Sequence, residues 1–321
     1  MKPFTIAALG AALLPTPALA CASCGCTFTS DWLAQGLVTQ PGSAVTLRYD
    51  YVPQTVLRSG TGKVDVNAIE LPSDQEIERR TLNHYITLSY DRQFANDWGF
   101  NVSLPFVTRP HRTIAEDTVS ESRSTGAGFG DIKVVGRWQG LSTPQGVTGL
   151  QFGLVLPTGP FHRHFRSGPV AGELLDRGLQ PGTGTVQAIA GIYHYRRLGQ
   201  ELALVLQAQG QTPFHSRQGF RPGAVGEASA SLQWLGAGGL GAGAVTPELQ
   251  VNFRVNGRDN GPEADRENSG GEQVYLSPGL SAKLTPRLSA FGLVQLPVYQ
   301  RFNGYQLAPK VTVSTGVQLR F

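Results

Sequence analysis

The sequence predicts an all-β protein, specifically a transmembrane antiparallel up-and-down β-barrel of about 12 strands behind a short N-terminal periplasmic or plug segment. The first of three observations is strand period. In 310–321, Val311, Val313, Val317, Leu319 and Phe321 fall on one face, while Thr312, Ser314, Gly316, Gln318 and Arg320 fall on the other. An extended chain imposes this period of two. The second is that the connections between such stretches alternate long and short. The third is composition: charged residues are 16%, below the roughly 25% of soluble domains. The 40 glycines exceed the usual share of about 7%. Both fit closely packed strands with an apolar exterior.

Residues 1–20 read as a secretory signal peptide. Lys2 gives a short basic head, Phe4 to Leu14 an apolar run, Pro15-Thr16-Pro17 a break, and Ala18-Leu19-Ala20 the small-residue cleavage site. The mature chain is then expected to begin at Cys21. The competing reading is a lipoprotein acylated at Cys21, although Ala18 stands where a lipobox usually has Leu. Past this point no stretch is apolar for roughly 18 residues, so the chain has no spanning helix. A formal charge of +4, scattered along the chain, argues against a nucleic-acid partner.

Residues 21–43 form the Cys-rich plug or tether segment, in which Ser30 or Asp31 caps a short helix through Gln35 that Gly36 ends. From Ala44 to Phe321 the chain is read as the barrel. Its strands are expected at 44–53, 81–92, 98–107, 130–139, 148–157, 184–196, 201–211, 224–234, 244–256, 273–284, 287–298 and 310–321. After odd strands come long polar stretches such as Gln54 to Arg80, Thr108 to Phe129 and Thr158 to Thr183. After even strands come tight links such as Gln93 to Asp97 and Thr285 to Pro286. Outer-membrane barrels with both termini in the periplasm have long outer loops and short inner turns. A soluble sandwich has no reason to keep that parity.

Within strands, Trp98, Phe100, Val102, Leu104 and Phe106 oppose Asn101 and Ser103. Likewise Leu249, Val251, Phe253 and Val255 oppose Glu248, Gln250, Asn252, Arg254 and Asn256. In 184–196 the run Val186-Gln187-Ala188-Ile189-Ala190-Gly191-Ile192 permits either register. Trp98, Trp138 and Trp234 all fall next to short turns, at one expected membrane interface. Facing polar residues inward gives Arg48, Asp50, Lys133, Arg137, Glu227, Glu248, Arg254, Lys283 and Arg320 as candidate lumen-lining residues. They form either a salt-bridged, water-filled interior or a permeation path. Phe321, closing the last strand, is the expected signal for the outer-membrane barrel insertion machinery.

Four phrases occur in order: Gly128-Phe129-Gly130-Asp131, Leu156-Pro157-Thr158-Gly159, Leu179-Gln180-Pro181-Gly182-Thr183-Gly184, and Gln295-Leu296-Pro297-Val298-Tyr299-Gln300 followed by Asn303-Gly304. Together they resemble the family of outer-membrane transporters named for the meta-pathway of phenol degradation, from about residue 44 to the end. By themselves, Gly and Pro at strand ends mark only tight loop geometry. The resemblance implies a barrel that passes small, hydrophobic or aromatic molecules, and it carries over no catalytic residue.

The three cysteines, Cys21, Cys24 and Cys26, suit Cu(I) or zinc as soft thiolates or a disulfide in an oxidising periplasm. Gly25 after Cys24 excludes a haem-attachment motif. His162 and His164 flank Arg163 and share a face of an extended loop, which suits a metal as well as plain exposure. The expected function is an outer-membrane channel or transporter for a small molecule, whose partners are membrane lipid and that cargo, with copper or zinc handling as an added option. A docking barrel with a metal-binding N-terminus is the alternative. An outer-membrane hydrolase fits less well: no His-x-Ser triplet occurs, and for a protease, which needs carboxylates and His clustered in the long loops, Asp74, Glu76 and Glu78 are acidic enough but offer spacing alone.

Overall fold

The computed structural model describes residues 40–235 and 245–321. The expected signal peptide, the capped helix and all three cysteines lie outside the described residues. Fourteen strands follow one another: β1 (Gly42–Gly60), β2 (Gly62–Lys63), β3 (Ile77–Gln93), β4 (Trp98–Ile114), β5 (Glu121–Phe129), β6 (Ile132–Trp138) and β7 (Gly146–Leu156), then β8 (Gln187–Leu198), β9 (Leu202–Pro213), β10 (Val225–Trp234), β11 (Val245–Asn256), β12 (Gly271–Lys283), β13 (Leu288–Pro309) and β14 (Thr312–Arg320). β2 is a stub on β1 and β5 a flap on β4. The other strands pair antiparallel with their neighbours in a closed ring of twelve.

The ring closes where β1 meets β14, in unbroken register from Ala44 opposite Arg320 to Tyr51 opposite Val313. At the seam's end Ser43 and Phe321 exchange two backbone hydrogen bonds of 2.9 Å. No sheet edge is left there to pair with another chain.

Burial is inverted relative to a soluble protein. Thr46, Asp50, Asn83, Asp91, Asn101, Gln151, Gln250, Asn252, Ser277, Ser314 and Gln318 are buried, whereas Leu47, Ile86, Leu88, Phe152, Leu206, Val251, Leu276 and Leu319 are exposed. An apolar exterior around a polar interior is stable only where hydrocarbon replaces water outside. β8, ambiguous in sequence, turns Gln187, Ile189 and Tyr193 inward and leaves Ile192 outside.

Each expected strand is present, and the ends nearest the short turns agree within about two residues. At the long-loop end β1, β3, β4, β9, β12 and β13 overrun their expected limits, while β6, β7, β8, β10 and β14 fall one to three residues short. β1 continues to Gly60, β4 to Ile114, and β5 folds from a stretch read as loop. β13 rises to Phe302, turns at Asn303-Gly304 with Gly304 at φ +51°, and returns beside β1. The expected long connection between the last two strands is therefore a tall hairpin. Above the outward apolar band neither face must be greasy, so pairing goes on while the period-two signal fades. Leu57, Ile77, Ile114 and Leu307 pack into a small core inside this taller wall.

The short connections, among them Phe94 to Asp97 and Leu284 to Arg287, share one end with Gly42 and Phe321. Trp98 pairs opposite Trp138 at that end, and Trp234 closes β10 there.

Candidate functional site

Three of the phrases singled out in the sequence meet at one point of the wall. β5 and β6 are separated by Gly130 and Asp131, and the 157–186 connection crosses inward past this break. Asp131 Oδ1 accepts from Gly159 N at 3.0 Å, and Oδ2 accepts from Thr183 N at 2.8 Å and Thr183 Oγ1 at 2.7 Å. Thr158 Oγ1 accepts from Ile132 N and donates to Gly130 O. The glycines are required by contact: a Cβ on Gly159 would lie 2.8 Å from Gly182 Cα and 3.0 Å from Gly130 Cα. The knot binds the strand break to both ends of the 157–186 connection.

Between those ends the connection forms a lid with its own core of Phe165, Leu175 and Leu179. Gln180 stitches it by accepting from Arg163 N and donating to Arg163 O and Leu175 O. The one-turn 3-10 helix Arg177–Leu179 is turned toward the lumen. Arg109 of β4 donates to Gly178 O at 2.8 Å and to Tyr85 Oη at 2.9 Å, tying the lid to β3 and β4. Arg177 stacks on Phe161 and Phe220, its guanidinium carbon 4.4 and 5.1 Å from the ring centres.

Under the lid lies a cavity of about 250 Å³. Arg48, Arg109, Lys133, Arg177, Asp131 and Glu227 border it, with the amides of Gln151, Gln187, Gln207, Gln209 and Gln211 and the apolar Val107, Val155 and Ile189. The amides run as a ladder: Gln211 donates to Gln187, Gln187 to Thr183 Oγ1, and Gln207 to Gln151.

Of the residues the sequence placed in the lumen, Arg48, Lys133 and Glu227 border this cavity. Asp50 is buried, accepting from Arg48 Nε at 2.8 Å and Ser314 Oγ at 2.6 Å. Arg137 makes a buried two-pronged ion pair with Asp91 at 2.6 and 2.8 Å. Arg254 lies 3.2 Å from Glu227, and Glu248 accepts from Ser231, Gln233 and Gln250. Lys283 and Arg320 instead sit exposed at the short-turn ends of β12 and β14. His162 and His164 are both exposed on the lid, His162 stacked on Phe161 with ring centres 4.2 Å apart. Among the described residues no group of three or more His, Cys, Asp or Glu is placed to hold a metal ion.

Sequence reasoning passed over Asp91, Arg109, Asp131 and Arg177. Asp91 was within reach, because it shares parity with Asn83, Thr87 and Ser89 on an expected strand. Arg109 and Arg177 fall in stretches read as loops, where no period marks a face.

One further cluster lies above the apolar band. His111 Nδ1 is 2.8 Å from Thr81 Oγ1, while its Nε2 lies 3.8 Å from Glu76 Oε1, and Glu78 accepts from Leu307 N at 3.4 Å. Burial, opposed by His111, pushes the Glu78 carboxyl up to about 7. Burial holds the His111 imidazole below its ordinary value.

A closed ring of antiparallel strands, polar within and apolar without, defines a β-barrel of the bacterial outer-membrane class. No protein-family model matches the chain, and no curated protein does. Among solved structures it is similar to an outer membrane channel from Pseudomonas putida F1, with a TM-score of 0.61 at 11% identity over 92% of this chain and 100% of that one. The likeness is one of fold. The CymD monoaromatic hydrocarbon channel aligns with a TM-score of 0.44 at 11% identity, over 92% of this chain and 94% of that one. A FadL homologue from Pseudomonas aeruginosa gives 0.44 at 10% identity, over 95% and 98%.

Proposed function

We propose that the chain is a conduit, not an enzyme, carrying a small molecule across the outer membrane through the space under the 157–186 lid. The observation that carries this reading is the cavity of about 250 Å³ bordered by charges and amides inside a lipid-facing ring. An interior kept only for stability needs its polar groups packed against one another, whereas this one holds a lined space. The short-turn end, with both strand ends β1 and β14, faces the periplasm in this reading, and the lid faces outside.

The resemblance to the transporters named for phenol degradation supports a small, aromatic or hydrophobic cargo. Cleavage after Ala20 releases a mature chain whose segment from Cys21 to the start of β1 serves as plug or tether. The thiols there take copper or zinc, or form a disulfide. Phe321 addresses the chain to the insertion machinery, and Arg48, Lys133 and Glu227 line the route.

The test is conductance of the refolded full chain in planar bilayers, paired with entry of benzyl alcohol into liposomes that contain it. Discrete conductance steps and faster entry are expected. Protein that runs as a folded barrel on unheated gels yet leaves bilayers sealed and liposomes no leakier would sink the conduit.

A further inference from the structure

We propose that the cavity beneath the lid is a binding station for a small amphipathic carboxylate, whose anionic end is taken by Lys133 and Arg177 and whose apolar body lies on Val107, Val155 and Ile189. This rests on the conduit reading and names its substrate class.

Four cations, Arg48, Arg109, Lys133 and Arg177, border the cavity against two carboxylates, Asp131 and Glu227. Both carboxylates are already served: Asp131 accepts from three donors of the lid knot, and Glu227 has Arg254 at 3.2 Å. Two of the cations are also engaged, Arg48 with Asp50 and Arg109 with Tyr85 and the lid carbonyls.

The remaining two have donors to spare. Lys133 is exposed, and its carboxylate neighbour Asp131 already has its oxygens occupied by the lid knot. Arg177 is only 6% exposed, gives Nη2 to Thr183 O at 3.0 Å, and has no partner for its buried Nε. Asp131 acts on Lys133 and Glu263 on Arg177 by charge, but neither carboxylate bonds its cation, so an anion arriving at the two gains charge-assisted hydrogen bonds from both. Both lie on one side of the space, since Arg177 bonds Thr183, Thr183 bonds Asp131, and Lys133 of β6 is two residues beyond Asp131. With Phe161 and Phe220 stacked on the guanidinium, Arg177 keeps its edge for hydrogen bonds, the geometry that suits a carboxylate.

The other half of the occupant follows from the rest of the lining. Val107, Val155 and Ile189 are buried apolar side chains in the same lining, Val155 directly opposite Lys133, so the space offers apolar wall beside a cation. At about 250 Å³ it is smaller than the roughly 300–1,000 Å³ of sites for drug-sized ligands, which limits the occupant to about one ring with a short substituent.

Three probes share one ring and differ in charge: benzoate, benzyl alcohol and benzylamine. Their binding to the detergent-solubilised full chain is measured by titration calorimetry, and ion selectivity by reversal potential across a salt gradient in bilayers. Benzoate should bind at least about tenfold tighter than benzyl alcohol and benzylamine weakest of the three, with selectivity for anions. Lys133→Gln, at a water-exposed position, and Arg177→Gln should each erase most of benzoate's advantage. Equal affinity for benzoate and benzyl alcohol, tighter binding of benzylamine, or full benzoate affinity in both variants would overturn the station. Conductance without charge preference would leave the conduit standing and remove the station. Preferential benzoate binding without conductance would do the reverse.

Discussion

Asp131→Asn isolates what the lid knot contributes. The aspartate accepts three hydrogen bonds, two of them on Oδ2, and a bond to a charged acceptor is worth about 1.5–3 kcal/mol net. Asparagine keeps the shape but has one acceptor oxygen, and its amide then points at Gly159 N or at Thr183 N, both of the lid connection. Losing one charge-assisted bond and leaving a partly buried donor unpaired costs about 3 kcal/mol as a working figure, which shifts the closed-to-open ratio of the lid about a hundredfold. Limited trypsin digestion reads this directly. Arg163 and Arg166 are exposed on the closed lid and cut in either state, while Arg177 is 6% exposed and is cut only after the lid lifts. When opening is fast relative to cleavage, the Arg177 rate follows the open population. The variant should lose Arg177 about a hundred times faster than wild type with Arg163 and Arg166 little changed. An Arg177 rate within about threefold of wild type, in protein that still migrates as a folded barrel, is too small for a lost bond of this kind and would mean that the knot does not hold the lid.

Gly182→Ala should act in the same assay and the same direction, because a Cβ there presses into Gly159 O; unchanged Arg177 cutting would refute the close backbone approach. Asp91→Asn leaves Arg137 buried without its ion pair and should lower stability to urea by about 3–5 kcal/mol, whereas the double change with Arg137→Leu should recover part of the loss. A double variant as unstable as the sum of the two single changes would contradict that coupling. For Glu78, whose carboxyl burial pushes up to about 7, the sign is fixed by linkage. The folded state holds the proton more tightly than the unfolded chain, so this contribution is complete below the ordinary carboxyl value and is lost as pH rises through about 7. The neighbouring His111, held low by burial, works in the opposite sense and loses its contribution as pH falls. Comparing wild type with Glu78→Gln isolates the carboxylate: the melting temperature of wild type relative to the variant should fall between pH 5 and 8, and a flat difference would rule out the buried carboxyl. Removing the Phe321 ring as Phe321→Ala should cut the amount of barrel inserted in cells while leaving refolding in detergent nearly intact; equal insertion would remove its role as a signal.

What could be read along the chain is what a strand imposes on itself. Leu249, Val251 and Phe253 had to share a face whatever surrounded them, and the same holds for Val317, Leu319 and Phe321, so the wall, its closure and most inward-facing charges followed from period and parity. Asp131 and its glycines were visible as phrases but not as a site. A glycine tolerated for a turn and a glycine required because another backbone lies 3.0 Å away are written with the same letter, and only the fold distinguishes them. Arg109 and Arg177 were hidden for a related reason: above the apolar band the environment is wet or protein-lined on both faces, so no hydrophobic alternation reports which way a side chain points. Arg109 and Arg177 therefore lie where lipid stops constraining the sequence, whereas Lys133, on a strand whose neighbour Val134 faces outward, was legible from parity. The station draws on both: one cation that period reveals and one that only the folded lid brings to it.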